Sequence, residues 1–156
     1  MKDDNNIIIK KLKERGVTIK DIAELVIFLQ KNYHEITYEQ CEKEILKVIS
    51  KKEAIHAILV GIALDEMAER KMLDQEINDI ILEDKSLFGL DEVLALSIVN
   101  MHGSIALTNF GYLDKIKPTI IGKVNHDKNS CNTFLDDIIA AIAASTASRI
   151  AHSYKE

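Results

Sequence analysis

Residues that interrupt helices are scarce in this sequence, which contains one proline and six glycines among 156 residues. Isoleucine, leucine, alanine, glutamate and lysine are abundant instead, and the composition therefore favours an all-α fold. Because 47% of the residues are hydrophobic, the chain is long enough to bury one real core and too short for two ordinary domains. We predict a single helical domain over residues 1–156.

Several classes of protein are disfavoured by what the chain lacks. The net charge is −5 and no basic stripe stands out, so we expect no nucleic-acid partner. Cys41 and Cys131 are far apart and in no metal-ligand spacing, which fits a reduced cytoplasmic setting. The start of the chain does not resemble a signal peptide, and no apolar run approaches the ~20 residues that span a bilayer. We expect a soluble cytoplasmic protein that at most touches the inner face of the membrane.

Helix starts are marked by Ser or Thr followed three residues later by an acid or amide, the capping-box pattern. Apolar residues then recur at helical spacing, and Gly61, inside the fourth of these segments, indicates a close helix crossing. Three starts in the first third of the chain follow the pattern: Thr18 with Asp21, Thr37 with Gln40, and Ser50 with Glu53.

Two later segments set the expected architecture. Residues 91–108 are nearly uncharged after Glu92, and a helix that is apolar all round is a buried one in a soluble protein. We therefore predict a compact multi-helix bundle in which a central helix at about 91–108 is surrounded by the others. A last helix, opened by Thr133 and running to about Tyr154, has faces of Ala and Ser. Such faces let another backbone approach, from this chain or from a second copy, and we expect a homo-oligomer.

Acidic residues occur in apolar surroundings at three places in the second half of the chain. Each of the three places has a simple explanation. At two of them the acids lie in the first turn of a predicted helix and face the positive end of its macrodipole. At the third, the acid lies between two predicted helices and can pair with a neighbouring lysine. Alternatively the acids converge on one cation such as Mg²⁺, and the lysines contact phosphate oxygens. The acids are Asp91 with Glu92, Asp114, and Asp136 with Asp137, and the lysines are Lys115 and Lys117.

Three blocks that carry these acids occur in a familiar order. The first, Gly89-Leu90-Asp91-Glu92-Val93, resembles an IVIDE-like block, and Phe110 to Pro118 resembles FRxFDIxKP. Leu135-Asp136-Asp137, with Ala140, resembles MLDDxxAG. Over residues 88–145 the chain thus resembles the phosphatidylglycerophosphatase A family. The helix-rich first half is similar to its soluble branch, the YutG-like or low-temperature-requirement C proteins.

The resemblance implies a compact helical bundle and Mg²⁺-dependent removal of phosphate from phosphatidylglycerophosphate, which yields phosphatidylglycerol. It makes Asp91, Glu92 and Asp137 the candidate catalytic residues and Lys117 a phosphate contact, to which the spacing adds Lys115. The implied metal ligands are the five acids of the three blocks: Asp91, Glu92, Asp114, Asp136 and Asp137.

Two features of the family pattern are missing. No GTxGS block precedes Asp91, and Gly111 follows Phe110 where the family has arginine. A second hypothesis therefore stays open, in which the chain is a non-catalytic helical module that binds a metal and forms oligomers. The two hypotheses differ first in whether the five carboxylates meet in one cleft.

Overall fold

The computed structural model describes residues 2–86 and 88–154, with side chains from residue 4 onward. Helices are the only regular elements in these ranges, so the predicted all-α class is confirmed. The helices are α1 Lys2–Glu14, α2 Ile19–Gln30, α3 Tyr38–Ile49, α4 Lys52–Glu69, α5 Gln75–Leu82, α6 Leu90–Val99, α7 Gly103–Ile116, α8 Thr119–Asn125 and α9 Leu135–Ser153.

Two of the three predicted capping boxes form. Thr18 accepts from the Asp21 amide at 3.2 Å while the Asp21 carboxylate accepts from the Thr18 amide at 2.8 Å, and the box that opens α3 is built in the same way. The box predicted at Ser50 is wrong. Ser50 is the C-cap of α3 and its hydroxyl donates to the Lys47 carbonyl at 2.8 Å, so it closes that helix and does not open α4.

The central helix of the bundle is α9. Of its 19 residues, 15 are buried, and α2, α3, α4, α6, α7 and α8 all pack against it. The prediction of a central helix at about 91–108 is wrong, because that segment is two helices separated by residues 100–102. The second helix begins at Gly103, whose φ is +82°. Each of the two helices buries only one side, and Val93 and Leu107 are half exposed. Low charge in a segment does not by itself reveal that it is surrounded.

Small residues explain why α9 can be contacted from so many directions. Alanine and serine side chains keep α9 thin, so neighbouring helices approach its backbone. At Gly61 of α4, an added Cβ would lie 2.2 Å from Ile138 Cδ1, which confirms the predicted close crossing. The small faces are therefore filled by this chain's own helices, and α9 does not offer them to a second copy.

The substitution Gly61→Val tests this crossing. We expect it to lower the free energy of unfolding by about 2 kcal/mol, because the new side chain overlaps Ile138 in a packed interior. Gly111→Val is the matched control: it lies in α7 with no described atom within 4 Å of the new Cβ, and we expect a change within ~0.5 kcal/mol. Urea unfolding curves of both variants measure the difference, and equal effects would contradict the packing argument.

None of the helices in the described ranges has both the length and the apolar character needed to cross a membrane.

Candidate active site

The N-terminus of α9 is held by a carboxylate from another helix. Asp65 of α4 is fully buried, and its two oxygens accept the Phe134 and Leu135 amides at 3.0 Å each. The predicted opening of the last helix by Thr133 is wrong, because the Thr133 hydroxyl donates to the Ile81 carbonyl at 2.6 Å. Asp65 satisfies donors that a helix start leaves unpaired, and it fixes the turn that carries Asp136 and Asp137.

Burial has a cost for Asp65. It raises the pKa of this carboxyl to about 7, against the two backbone donors and the charge of Arg15, which lower it. Arg15 also donates to Glu69 at 2.6 Å and to the Asn132 side-chain oxygen at 3.0 Å. These contacts tie α1 and α4 to the loop that precedes α9, so the first turn of α9 is positioned from two sides.

Five predicted carboxylates meet in one cleft of about 220 Å³. The first turn of α6 brings one pair, the last turn of α7 one residue, and the first turn of α9 the other pair. Lys117 lines the same cleft from the end of α7, where its φ is +44°. Lys115 is exposed and does not line the cleft. The five acids are Asp91, Glu92, Asp114, Asp136 and Asp137.

Asp84 is a sixth acid in this cleft, and the sequence motifs did not indicate it. It follows α5 with a φ of +46°, a conformation uncommon outside glycine. Asp84 is exposed at the mouth of the cleft, but partial desolvation raises its pKa, and the negative charge of Asp91 adds to the effect. An acid directly after an apolar helix was the one available signal, and such residues usually face solvent.

Lys117 is the partly buried cation of the cleft, which the exposed Lys85 also lines. The Lys117 ammonium group lies 2.9 Å from Asp114 Oδ1 and 3.3 Å from Asp136 Oδ2. Burial alone would lower the pKa of Lys117, but the Asp114 hydrogen bond and the Asp136 charge raise it, so this side chain is protonated. The salt bridge considered for Asp114 therefore exists, and it is part of the shared cleft.

Asp136 and Asp137 do not behave as ordinary helix-start acids. Each is only 4% exposed. Burial raises the pKa of both; for Asp137 the Asp136 charge raises it further, as do hydrogen bonds with Asp91 and Asp114. A hydrogen bond between two carboxyl groups requires a shared proton. The macrodipole favours ionised acids at a helix start, so it does not account for a pair whose ionisation is this unfavourable. Such groups are typical of functional sites.

Known proteins share both the sequence and the fold around this cleft. The sequence profile described as phosphatidylglycerophosphatase A matches residues 8–152. The chain belongs to the phosphatidylglycerophosphatase A family. The matched range contains every acid of the cleft and Asp65.

Proteins that are similar to this chain include two from Bacillus subtilis that are described as uncharacterized. YutG is 52% identical over 91% of this chain and 87% of its own, and YpjQ is 48% identical over 93% and 82%. The crystal structure of YpjQ superposes with a TM-score of 0.95 at 46% identity, covering 99% of this chain and 96% of YpjQ. The low temperature requirement C protein of Listeria monocytogenes gives 0.94 at 50% identity, with 98% of each chain covered.

Proposed function

We propose that the acidic cleft is the active site of a Mg²⁺-dependent phosphoric monoester hydrolase. Its substrate would be phosphatidylglycerophosphate, converted to phosphatidylglycerol and phosphate in glycerophospholipid synthesis. The observation that supports this proposal best is the convergence of five carboxylates and one partly buried lysine from α6, α7 and α9 in one cleft. Family membership supports the same chemistry.

The donor set fits a hard divalent cation. Every candidate ligand is a carboxylate oxygen, the type that Mg²⁺ prefers. As the side chains lie, no three His, Cys, Asp or Glu residues in the described ranges are already arranged around one metal position. Asp91 and Asp114 lie close enough to Asp137 to raise its pKa. The residues that would hold Mg²⁺ are Asp91, Glu92, Asp114, Asp136 and Asp137.

Mg²⁺, when bound, supplies positive charge beside the phosphate oxygens. Lys117 would donate to those oxygens, since its ammonium group lies in the cleft and keeps its proton. In the reaction water adds to phosphorus, the bond from phosphorus to the ester oxygen breaks, and the alcohol leaves with a proton. Asp91, Glu92 and Asp137 are the groups that would accept the proton of water and return one to the alcohol. Glu92 is exposed, but partial desolvation raises its pKa, as does the Asp91 charge, which suits it to this exchange.

The lipid substrate requires contact with a membrane surface. Leu90 and Val93, beside the acids of α6, are 54% and 59% exposed and would face the bilayer. We propose a cytoplasmic location with peripheral contact at the inner face of the membrane. Homo-oligomer formation stays a prediction that needs a surface other than α9.

Phosphate release from phosphatidylglycerophosphate in detergent micelles tests the proposal. We expect release with Mg²⁺ and a loss of at least about 100-fold when a chelator removes it. Release that persists in the chelator would rule out a metal-dependent mechanism.

A second candidate function is a non-catalytic module that binds a metal and forms oligomers. Gly111 favours it, because the chain has glycine at the position where the family motif has arginine. A folded protein that binds Mg²⁺ and releases no phosphate would support this candidate.

A further inference from the structure

A second, smaller cleft lies beside the acidic one. It has a volume of about 110 Å³, and Asp84 lines both clefts, so the two share a wall. The other side of the second cleft is formed by the end of α8 and the loop that leads to α9, and includes Asn125, Asp127 and Ser130. Whatever occupies it is therefore next to a group bound in the acidic cleft.

Most polar groups around the second cleft are already used within the protein. The Asn132 amide donates to the Val124 carbonyl at 2.9 Å and its oxygen accepts from Arg15. Thr133 donates to the Ile81 carbonyl.

Three groups retain hydrogen-bonding capacity. The Asn125 side-chain amide, half-buried at the end of α8, has no hydrogen-bond partner among the described residues. The Ser130 hydroxyl donates to Asp127 at 3.0 Å and keeps its acceptor capacity, and the Asp127 carboxylate has further lone pairs. The cleft thus offers both donors and acceptors to a ligand.

The lining indicates the chemistry of the ligand. Among the described residues no lysine or arginine lines this cleft, while Asp84 and Asp127 do, so an anionic group is disfavoured. An apolar group would leave the Asn125 amide unpaired, which is unfavourable. Hydroxyl groups donate to carboxylates and accept from amides. The volume corresponds to roughly four water molecules, which limits the ligand to a short chain.

We infer that the second cleft binds the hydroxylated alcohol portion of the phosphate ester, with Asn125 as a residue that determines specificity. This inference rests on the proposed function, since the phosphate would lie beside Lys117 in the acidic cleft. A lipid headgroup ending in glycerol phosphate and a free polyol phosphate present the same chemistry: a phosphate monoester on a short hydroxylated chain.

Binding of two non-hydrolysable phosphonates in the presence of Mg²⁺ tests the inference. One is 3,4-dihydroxybutylphosphonate and the other is butylphosphonate, which has the same chain without hydroxyls. We expect the wild-type chain to bind the dihydroxy compound about tenfold more tightly. Asn125→Ala should bring the two dissociation constants close together. Asn129→Ala, the same substitution in the adjacent loop outside the cleft, should leave the preference intact.

Equal binding of the two phosphonates by the wild-type chain would overturn the inference, as would a preference that survives Asn125→Ala or a failure to bind either compound. A preference that depends on Asn125, in a protein that releases no phosphate from any ester, would support the cleft assignment and refute the proposed function. Where phosphate is released, Asn125→Ala distinguishes the source. Release from glycerol 3-phosphate that slows in Asn125→Ala, with none from micelles in either protein, indicates free polyol phosphates. Release from micelles that slows in Asn125→Ala, with none from glycerol 3-phosphate in either protein, indicates the lipid headgroup.

Discussion

Replacing Asp137 with asparagine is expected to abolish Mg²⁺-dependent phosphate release and to make the folded chain more stable without Mg²⁺. The loss of activity should be at least about 100-fold, because in the proposed mechanism Asp137 would both bind the cation and move a proton. The gain in stability should be about 1 kcal/mol or more at pH 8, because a buried acid with unfavourable ionisation is replaced by a neutral group.

The side chain introduced by Asp137→Asn has the shape of the carboxylate that it replaces, so the cleft needs no rearrangement to hold it. Its N–H groups can donate to Asp91 and Asp114, the two acids whose proximity raises the pKa of Asp137. Opposite effects on activity and stability are the expected sign of a site that the fold maintains at a cost. If Asp137 served only as a helix-start acid, Asp137→Asn would instead lower the stability of the folded chain.

Three measurements on the purified variant separate these outcomes: phosphate release, the urea midpoint without Mg²⁺, and the shift of the thermal midpoint on adding Mg²⁺. The wild-type chain should be stabilised by Mg²⁺ and the variant should not. Asp79→Asn, on α5 and outside the cleft, is the control and should behave as wild type in all three. Unaltered turnover in Asp137→Asn would remove Asp137 from the mechanism.

Local signals in the sequence predicted local structure well. The capping boxes at Thr18 and Thr37 form because both partners lie within one turn. The position of the central helix was wrong because burial depends on how many neighbours surround a helix, and composition measures only its own residues. The two acids in the first turn of α9 made this helix look partly exposed, although it is buried on all sides. The lack of charge in residues 91–108 suggested a fully buried helix, although the two helices in this segment are buried on one side only.

Five of the six acids that the structure places in the cleft could be predicted, because each of the five lies in a short block beside a helix end. Asp84 and Asp65 could not be found in this way. Asp84 reaches the cleft through a backbone conformation with positive φ, and the sequence has no glycine at this position that would predict such a conformation. Asp65 acts on amides 69 and 70 residues later in the chain, and inside α4 it looks like one more acid of a helix surface. Contacts of that separation follow from the tertiary fold alone.

Asp65→Ala is expected to cause the largest loss of stability among single substitutions of the buried acids, about 3 kcal/mol at pH 7. It leaves the amides of Phe134 and Leu135 buried without an acceptor, and each such group costs about 1–3 kcal/mol. Because Asp136 and Asp137 lie in the turn that these amides begin, the variant should also bind Mg²⁺ more weakly. Urea unfolding and a Mg²⁺ titration followed by the thermal midpoint measure the two effects, with Asp79→Asn again as the control.

The stability of wild type relative to Asp65→Asn, measured as a function of pH, shows whether burial or the groups that bind the ionised carboxylate dominate at Asp65. Burial raises its folded pKa to about 7, whereas an unfolded chain has its ordinary value of 3.8. Between these values the folded chain keeps a proton that the unfolded chain releases, so rising pH favours unfolding. The stability of wild type relative to Asp65→Asn should therefore fall between pH 4 and pH 7, by up to about 1.4 kcal/mol per pH unit, and level off above pH 7. A relative stability that rises with pH would mean that the two backbone donors and Arg15 outweigh burial, and that α9 is held by an ionised carboxylate throughout this range.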